Sequence, residues 1–361
     1  MRVEELDYPL PADRIATRPA EPRDAARLML ADCATGRATD HRVRDLPGLG
    51  VLRAGDLLVL NETRVLPARL EGRRSATGGR VAGLYLGETE AAGRWQVMLE
   101  ARGSLRLGEA IVLDDAARLV LEASLGEGRW SARLEADADT DAVLARVGRT
   151  PLPPYIARAR RQGAEAAERE ADAVRYNTVY AHEPGSVAAP TAGLHLTPEL
   201  LAAIEARGVR LARLTLHVGL GTFAPVRSAS LSAHVMHAER VRVPAATLDL
   251  LRATRDAGRR IVPVGTTSVR ALESLPPDWR GLAGDWAGAT ELFVYPGSGF
   301  TFRFTDMLLT NFHLPRSTLL ALVAALPGVG LERLKGWYAD AVARGYRFYS
   351  YGDAMLIVQG G

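Results

Sequence analysis

Short apolar runs, broken by glycine and acidic residues, dominate one stretch of the first half of the chain. Between residues 79 and 137 the runs are GRVAGLYLG, RWQVMLEAR, EAIVLDD, RLVLEASLG and RWSARLEAD. Their lengths and alternation are typical of strands, and no helical period interrupts them before DTDAVLARVG at 139–148. Repeated short strands at this spacing predict a small all-β barrel or sandwich over residues 68–150.

After Tyr176 the pattern changes to strands that alternate with helices. TPELLAAIEARG predicts a helix with Thr197 as its N-cap, Pro198 in its first turn and Gly208 at its end. VRLARLTLHV and IVPVG predict strands, whereas PAATLDLLRATRDAGRR and LPRSTLLALVAALPG predict helices. This alternation is typical of an α/β domain with a largely parallel sheet. We therefore expect an α/β core of residues 1–67 and 151–361 with an inserted β-barrel domain, residues 68–150.

The composition of the 361 residues is that of an ordinary globular protein, with 47% hydrophobic and 24% charged residues. The net charge of +3 permits nucleic-acid binding without arguing for it. The single cysteine, Cys33, excludes an internal disulfide and a cysteine-based zinc site. Because the N-terminus is charged and proline-rich and the longest apolar stretch stops at Pro327, we expect a cytoplasmic protein without membrane contact. Our expectation for the oligomeric state is a monomer.

Three predicted strand ends lead into loops rich in glycine and hydroxyl groups, each with a histidine or arginine close by. They are LTLHVGLGTF, IVPVGTTSVRALES and SVAAPTAGLHLT. In open α/β sheets, ligands bind beyond the carboxyl ends of the strands. Tight packing of a helix on a strand would explain one such loop, but three in one domain favour a site for a polar ligand.

The histidines leave a metal site open as an alternative. Five of the seven lie between residues 182 and 237. His217, His234 and His237 could ligate a metal and serve a metal-dependent hydrolase, although solvated loop histidines are the more common case. A dinucleotide site at GLGTFA is disfavoured, because Pro225 follows where a helix should begin.

Eight segments stand out along the chain and run from the first quarter to the C-terminal end. They are GDLLVLNETRVLPARL, PLPPYI, YNTVYAHEPGSVAAPTAGLHLT, LTLHVGLGTF, HVMHAE, VGTTSVRALES, TNFHLPRSTLL and YSYGDAMLI. In this order they resemble the S-adenosylmethionine:tRNA ribosyltransferase-isomerase family of queuosine biosynthesis. The departures are mild: Glu62 stands where the family commonly has Asp, Leu196 where Phe is usual, and YPGSGF where YPGYRF is usual.

The resemblance implies transfer of the ribosyl portion of S-adenosylmethionine to a 7-aminomethyl-7-deazaguanine base in a tRNA anticodon. Epoxyqueuosine in tRNA, adenine and methionine would be the products, and a β-barrel inserted into an α/β core would be the fold. Because a sulfonium acidifies the adjacent ribosyl C5′, a general base could remove a proton there, and an acid would assist the departure of adenine. The partners would be S-adenosylmethionine, as co-substrate, and the modified tRNA. We expect no metal and no redox cofactor.

On this basis we expect His195 and His217 to be the acid–base pair, with Asp353, Glu62 and His313 as reserves. The residues expected to bind substrate are small or carry hydroxyl, amide or guanidinium groups: Asn61, Arg64, Thr191, Gly193, Gly219, Gly221, Gly265, Thr266, Thr267, Ser268, Arg270 and Asn311. No metal ligand is expected. Two alternatives stay open, namely the metal-dependent hydrolase and a non-catalytic tRNA-binding protein with the barrel as its binding module.

Overall fold

The computed structural model describes residues 1–89, 91–153, 156, 171–219 and 230–359. Its strands are β1 (Arg27–Asp32), β2 (Ala38–Arg42), β3 (Leu57–Asn61), β4 (Thr63–Val65), β5 (Arg69–Arg74), β6 (Arg80–Glu88), β7 (Arg94–Ala101), β8 (Ala110–Asp114), β9 (Ala117–Gly126), β10 (Arg129–Ala136), β11 (Glu183–Ser186), β12 (Arg210–Leu216), β13 (Glu239–Val243), β14 (Ile261–Pro263), β15 (Trp286–Thr290), β16 (Met307–Asn311) and β17 (Ala354–Val358). Its α-helices are α1 (Thr140–Val147), α2 (Pro198–Glu205), α3 (Ala245–Asp256), α4 (Thr266–Glu273), α5 (Thr318–Ala324) and α6 (Leu331–Ala343).

Strands β5 to β10 form a closed barrel in the order β10-β7-β6-β5-β8-β9. The alternation in the sequence explains it: Trp95, Val97 and Leu99 of β7 point into the apolar interior, whereas the alternating residues Arg94 and Gln96 are exposed. Helix α1 follows the last strand and packs its buried face against this interior. The prediction of a small barrel is confirmed. The division of the chain into residues 1–67 with 151–361, and 68–150, stays a prediction.

The core contains a five-stranded sheet in the order β14-β3-β12-β13-β15. Strand β3 is parallel to both of its neighbours, but β13 is antiparallel to β12 and to β15. The prediction of a largely parallel sheet is therefore correct only for three strands. Strands β12 and β14 each follow a helix, as parallel strands require, whereas β15 is a mostly exposed edge strand that needs no helical cover.

A second, four-stranded sheet has the order β16-β17-β1-β2, and only its central pair, β1 with β17, is parallel. The two sheets meet where Val264 forms an isolated parallel bridge with Leu309. At the same point the Gly265 amide donates a hydrogen bond of 2.7 Å to the Leu309 carbonyl. This junction brings the start of α4 next to the carboxyl end of β16.

Helix α2 follows its sequence signals closely. The Thr197 side chain accepts a hydrogen bond from the Leu200 amide, Pro198 is the first helical residue, and Gly208 has a φ of 82°. Among the described residues, none of the helices has both the length and the apolar character needed to cross a bilayer.

Candidate functional site

A recess opens at the junction of the two sheets. It measures about 320 Å³, part of it open to solvent, and it is lined by Ala189, Pro190, Thr191, Ala192, Gly265, Thr266, Thr267, Thr310, Asn311, His313 and Leu319. Two of the three glycine- and hydroxyl-rich loops predicted from the sequence thus face one another. The third wall comes from residues 310–313, at the end of β16.

Several polar groups of the recess are hydrogen-bonded to one another or to the backbone beside it, but the Thr267 hydroxyl is not. Thr191 Oγ1 donates a hydrogen bond of 2.9 Å to Asn311 Oδ1, and Asn311 Nδ2 donates one of 3.2 Å to the Tyr349 carbonyl. Thr267 is only 6% exposed, and its hydroxyl has no hydrogen-bond partner among the described residues. A buried polar group left without a partner costs about 1–3 kcal/mol. The Thr267 hydroxyl therefore marks a point where a ligand atom would be stabilised.

His313 lines the recess as a neutral ring. Its Nε2 lies 3.0 Å from Thr310 Oγ1, its amide donates to the Tyr338 hydroxyl at 3.1 Å, and the Tyr8 hydroxyl donates to its carbonyl. Burial lowers the pKa of His313 to about 3. At neutral pH this side chain can share hydrogen bonds with a ligand, but it carries no proton to give away as an acid.

His195 lies behind the recess rather than in it. Its Nδ1 is 3.0 Å from the Ala192 carbonyl oxygen, and its Nε2 is 2.9 Å from the Gly352 carbonyl oxygen. Burial lowers the pKa of this imidazole, and a neutral imidazole can donate only one of these two hydrogen bonds. The ring connects the 191–195 wall of the recess to the turn that precedes β17.

Asp353 lies in that same turn. Its Oδ1 accepts a hydrogen bond of 3.0 Å from the Arg27 amide, and its Oδ2 accepts one of 2.8 Å from the Arg347 amide. Both carboxylate oxygens are therefore used to hold the turn against the start of β1. A catalytic role for Asp353 stays a prediction, and the carboxylate is not among the groups that line the recess.

His217 lies at the same edge of the sheet as the recess, beyond the end of β12. Its Nδ1 is 2.9 Å from Thr63 Oγ1, and the ring packs so closely on Gly185 that a Cβ there would lie 2.7 Å from Nδ1. Burial, and next the charge of Arg240, lower the pKa of His217. Strand β14 ends at Pro263, which is in register with Val59 of β3 and, through it, with Ala212 of β12. Leu216, at the end of β12, lies two strands across and four residues farther along, so the two strand ends are about 16 Å apart.

Glu62 is half-buried at the same edge, directly after β3. Burial raises the pKa of its carboxyl group, and the charge of Arg213 opposes the shift. A carboxyl group whose pKa is raised is a candidate general acid or base. The edge thus carries a neutral imidazole and a carboxyl group with a raised pKa.

Several of the predicted substrate-binding residues have structural partners of their own. Asn61 exchanges two hydrogen bonds of 3.0 Å with the Leu216 backbone and so joins β3 to β12. A Cβ on Gly193 would overlap the hydroxyl oxygen of Tyr180, and Ser268 donates a hydrogen bond of 2.8 Å to the Val264 carbonyl. Arg64 is exposed next to this edge. Their roles toward substrate stay predictions.

Arg270 forms a buried ion pair with Glu239, each side chain being 2% exposed. Glu239 Oε1 also accepts a hydrogen bond of 2.8 Å from the Gly219 amide. This pair fixes the start of the segment that continues from Gly219, whereas Gly221 lies outside the described residues. The second terminal nitrogen of Arg270, Nη2, is buried and has no partner within the described ranges.

Across the described residues, no three His, Cys, Asp or Glu side chains are placed to hold a metal ion. His234 packs edge-on against Phe293, with 5.2 Å between ring centroids, and His237 is exposed. The metal-dependent hydrolase based on His217, His234 and His237 therefore has no ligand group in this part of the chain.

Sequence reasoning missed Thr310 and the aromatic support of His313. Thr310 directly precedes Asn311 in TNFHLPRST, so its position beside a predicted binding residue was a usable signal. Tyr8 and Tyr338 are separated from His313 by 305 and 25 positions, and nothing local in the sequence indicates their contact.

Comparison with known proteins gives consistent results. Residues 3–357 match the profile of a family described as queuosine biosynthesis protein. The S-adenosylmethionine:tRNA ribosyltransferase-isomerase of Gloeobacter violaceus is 51% identical over 358 residues, which cover 98% of this chain and 95% of the relative. The protein of the same name from Sphingopyxis alaskensis is 48% identical, with 99% and 97% covered. The crystal structure of S-adenosylmethionine tRNA ribosyltransferase from Thermotoga maritima is similar with a TM-score of 0.54 and 34% identity, covering 98% of this chain and 100% of that one.

Proposed function

We propose a role for each residue of the site, starting from the family to which the chain belongs. Since this is the queuosine biosynthesis protein family, the activity is that of an S-adenosylmethionine:tRNA ribosyltransferase-isomerase. S-adenosylmethionine is the co-substrate and tRNA is the acceptor. The acceptor base that we propose is 7-aminomethyl-7-deazaguanine in the anticodon, which would yield epoxyqueuosine with release of adenine and methionine. The proposal also includes a monomer that works in the cytoplasm, where its tRNA substrate is found.

The recess is proposed to bind the adenosine portion of S-adenosylmethionine. The single observation that supports this most strongly is the buried Thr267 hydroxyl without a partner, in a recess that also offers the Asn311 amide and the neutral His313 ring. Small residues at Ala192 and Gly265 allow a flat base to approach the backbone closely. Because the His313 ring is uncharged at neutral pH but keeps one N–H group, its role would be to donate a hydrogen bond to the departing adenine.

His217 is proposed to be the general base that removes a proton from C5′. Its lowered pKa keeps the ring neutral, and the contact of Nδ1 with Thr63 orients it and leaves Nε2 available. With adenine in the recess, the ribose and its sulfonium would extend along the sheet edge toward this ring. Glu62 is the second proton carrier proposed there. His195, whose two nitrogens both face carbonyl groups, is proposed as a positioning residue.

Release of adenine from S-adenosylmethionine in the presence of the modified tRNA tests the function. We expect release with the modified tRNA and none with tRNA that lacks the aminomethyl base. Binding of tRNA without release would instead favour the non-catalytic alternative. Adenine release that is unchanged after dialysis against EDTA would support the proposal that no metal takes part, and restoration by added metal would contradict it.

His217→Gln tests the assignment of the base. We expect kcat to fall by about 10²–10⁴-fold, the usual contribution of general acid–base catalysis, with little change in the affinity for S-adenosylmethionine. His182→Gln is the matched control, since its side chain is 76% exposed at the same edge. Equal effects of the two substitutions would contradict the role of His217.

A further inference from the structure

Four exposed arginines lie at the end of the barrel that is farthest from the core. The barrel joins the core where Arg69 bridges Arg149, at the start of β5. At the other end of that strand Arg73 is paired directly with Arg80 of β6. Since Val81 is paired with Ala101, Arg102 follows as the next position along β7, and Arg106 lies in the loop after it. We name Arg73, Arg80, Arg102 and Arg106 the distal arginine patch.

None of these four exposed arginines has a carboxylate partner among the described residues, whereas six of the other eight arginines of the barrel do; the two exceptions, Arg69 and Arg129, are partly buried. The paired arginines, with their N–O distances, are Arg74 with Glu109 (3.3 Å), Arg94 with Glu122 (2.9 Å), Arg118 with Glu135 (2.5 Å), Arg133 with Glu135 (2.6 Å), Arg146 with Asp114 (2.6 Å) and Arg149 with Glu71 (2.9 Å). In the patch, the one side-chain hydrogen bond that the structure gives runs from Arg73 to the Gly78 carbonyl, at 3.1 Å.

The patch keeps an excess of positive charge over the carboxylates beside it. Glu71 and Glu109 are already held by Arg149 and Arg74. Glu100 lies two positions before Arg102 on the same exposed face of β7 and forms no ion pair within the described residues. The distal end therefore presents several exposed guanidinium groups that are free to bind anions, while most other arginines of the barrel are ion-paired.

The arrangement suits a polyanion better than a small anion. Arg73 on β5, Arg80 on β6 and Arg102 directly after the end of β7 lie side by side, so their Cα atoms are spaced by about 5 Å in a row. The side chains stand on a convex outer face and do not converge on one point. Guanidinium groups bind phosphate with a planar pair of donors. A row of them can contact successive phosphates of one nucleic-acid strand.

We propose that the distal arginine patch binds the phosphate backbone of the tRNA substrate. This inference rests on the proposed function, because it takes tRNA as the acceptor. A tRNA is far larger than the recess, so when its target base enters the core the adjoining stem must pass over the protein surface. The patch begins about 14 Å along β5 from the core, at four residues of about 3.4 Å each, within reach of such a stem.

The test compares two triple variants of the full-length protein. Arg73→Ala/Arg80→Ala/Arg102→Ala removes three charges from the patch. Arg94→Ala/Arg118→Ala/Arg133→Ala is the matched control, because it removes three exposed but ion-paired arginines from the same barrel. Affinity for full-length tRNA is measured by fluorescence anisotropy from 50 to 200 mM salt, and circular dichroism checks that both variants are folded.

We expect the patch variant to lose affinity with a distinct salt dependence. Each lost phosphate contact reduces the slope of log K against log salt by about 0.7–0.9, so the slope falls by about 2–3. The Kd of the variant is therefore raised most at low salt. Between 200 and 50 mM salt, a fourfold range, the ratio of the variant Kd to the wild-type Kd grows by about 20- to 40-fold. The control keeps the wild-type slope.

Kinetics separate a failure of this inference from a failure of the proposed function. In the adenine-release assay, the patch variant has a higher KM for tRNA than the wild type and the same KM for S-adenosylmethionine. Equal slopes for the patch variant and the control, or for the patch variant and the wild type, would overturn the assignment of the patch. If the wild-type protein binds tRNA but releases no adenine, the proposed function fails, and the binding measurements still decide where tRNA docks.

Discussion

Replacing Thr267 with valine is expected to stabilise the protein and weaken its binding of S-adenosylmethionine at the same time. Valine has nearly the same shape as threonine, so the change exchanges one hydroxyl for a methyl group. The Thr267 side chain is buried, and its hydroxyl finds no partner within the described residues. The free protein therefore loses an unfavourable group, whereas the complex loses a hydrogen bond.

The magnitudes follow from the burial of this one group. A buried hydroxyl without a partner costs about 1–3 kcal/mol, so Thr267→Val should raise the free energy of unfolding by about 1 kcal/mol or more. In the complex, the ligand atom that would have met the hydroxyl faces a methyl group instead. Loss of about 1–2 kcal/mol there corresponds to about a five- to thirtyfold higher Kd.

Thr318→Val provides the matched control. The Thr318 hydroxyl is also buried without a partner in the described part of the chain, but the residue does not line the recess. We expect it to raise stability in the same way and to leave ligand affinity unchanged. Urea unfolding gives the stabilities, and calorimetric titration with S-adenosylmethionine gives the Kd of each variant.

Two results would refute the reasoning. If Thr267→Val is no more stable than the wild type, the hydroxyl is not an unsatisfied group. If the two variants bind S-adenosylmethionine equally well, the recess does not hold the part of the ligand proposed for it.

Three further predictions concern Gly193, His313 and the buried ion pair. Gly193→Ala places a Cβ against the hydroxyl of Tyr180 and should lower the free energy of unfolding by about 1–3 kcal/mol; Tyr180→Phe added to it should restore part of the loss, and its failure to do so would show that the overlap is not the cause. The pKa of His313, lowered to about 3 against about 6.5 in the unfolded chain, means that the unfolded state binds a proton that the folded state does not. The free energy of unfolding should therefore be highest above pH 6.5 and fall as the pH drops toward 3, by up to about 1.4 kcal/mol per pH unit. In urea unfolding between pH 6 and 5, His313→Gln should reduce the slope of this free energy against pH by the amount that corresponds to almost one proton. Arg270→Met removes the guanidinium that faces Glu239 and should cost about 3–5 kcal/mol, most of it recovered when Glu239→Gln is added; a thermal melt that shows no recovery would contradict a pairwise charge effect.

The parts of the fold that the sequence predicts correctly depend on local signals. Helix α2 has a hydroxyl N-cap, a proline in the first turn and a glycine after its end, and each of them acts within a few residues. The barrel strands alternate because one face of each strand is packed inside and the other faces water. Such patterns can be recognised from neighbouring residues alone, without knowing which distant parts of the chain are in contact.

Helix α4 shows why other parts could not be predicted. All eight of its residues, Thr266–Glu273, are buried, although five of them are polar. The helix is barely two turns long and mostly polar, so this segment reads as a loop in the sequence. Its polar residues are accommodated by partners far away in the chain, such as Glu239 for Arg270.

In the candidate site, too, some features could be predicted from local sequence and others depend on distant contacts. The small-residue loops could be identified from composition, and two of them line the recess together. The position of His195 relative to the recess could not be predicted, because its ring is turned toward the carbonyl of Gly352, 157 positions away. The contact of Asn311 with Thr191, 120 positions apart, is likewise a product of the tertiary fold.

The pairing of β1 with β17 sets the order in which this protein can fold during its synthesis. The barrel strands, residues 69–136, are contiguous in the chain and can close soon after they leave the ribosome. Residues 27–32 must instead wait for residues 354–358, and the turn before β17 carries the backbone groups that hold Asn311 and His195. The recess is thus completed last, because a chain interrupted near its end lacks the strand and the turn that finish it.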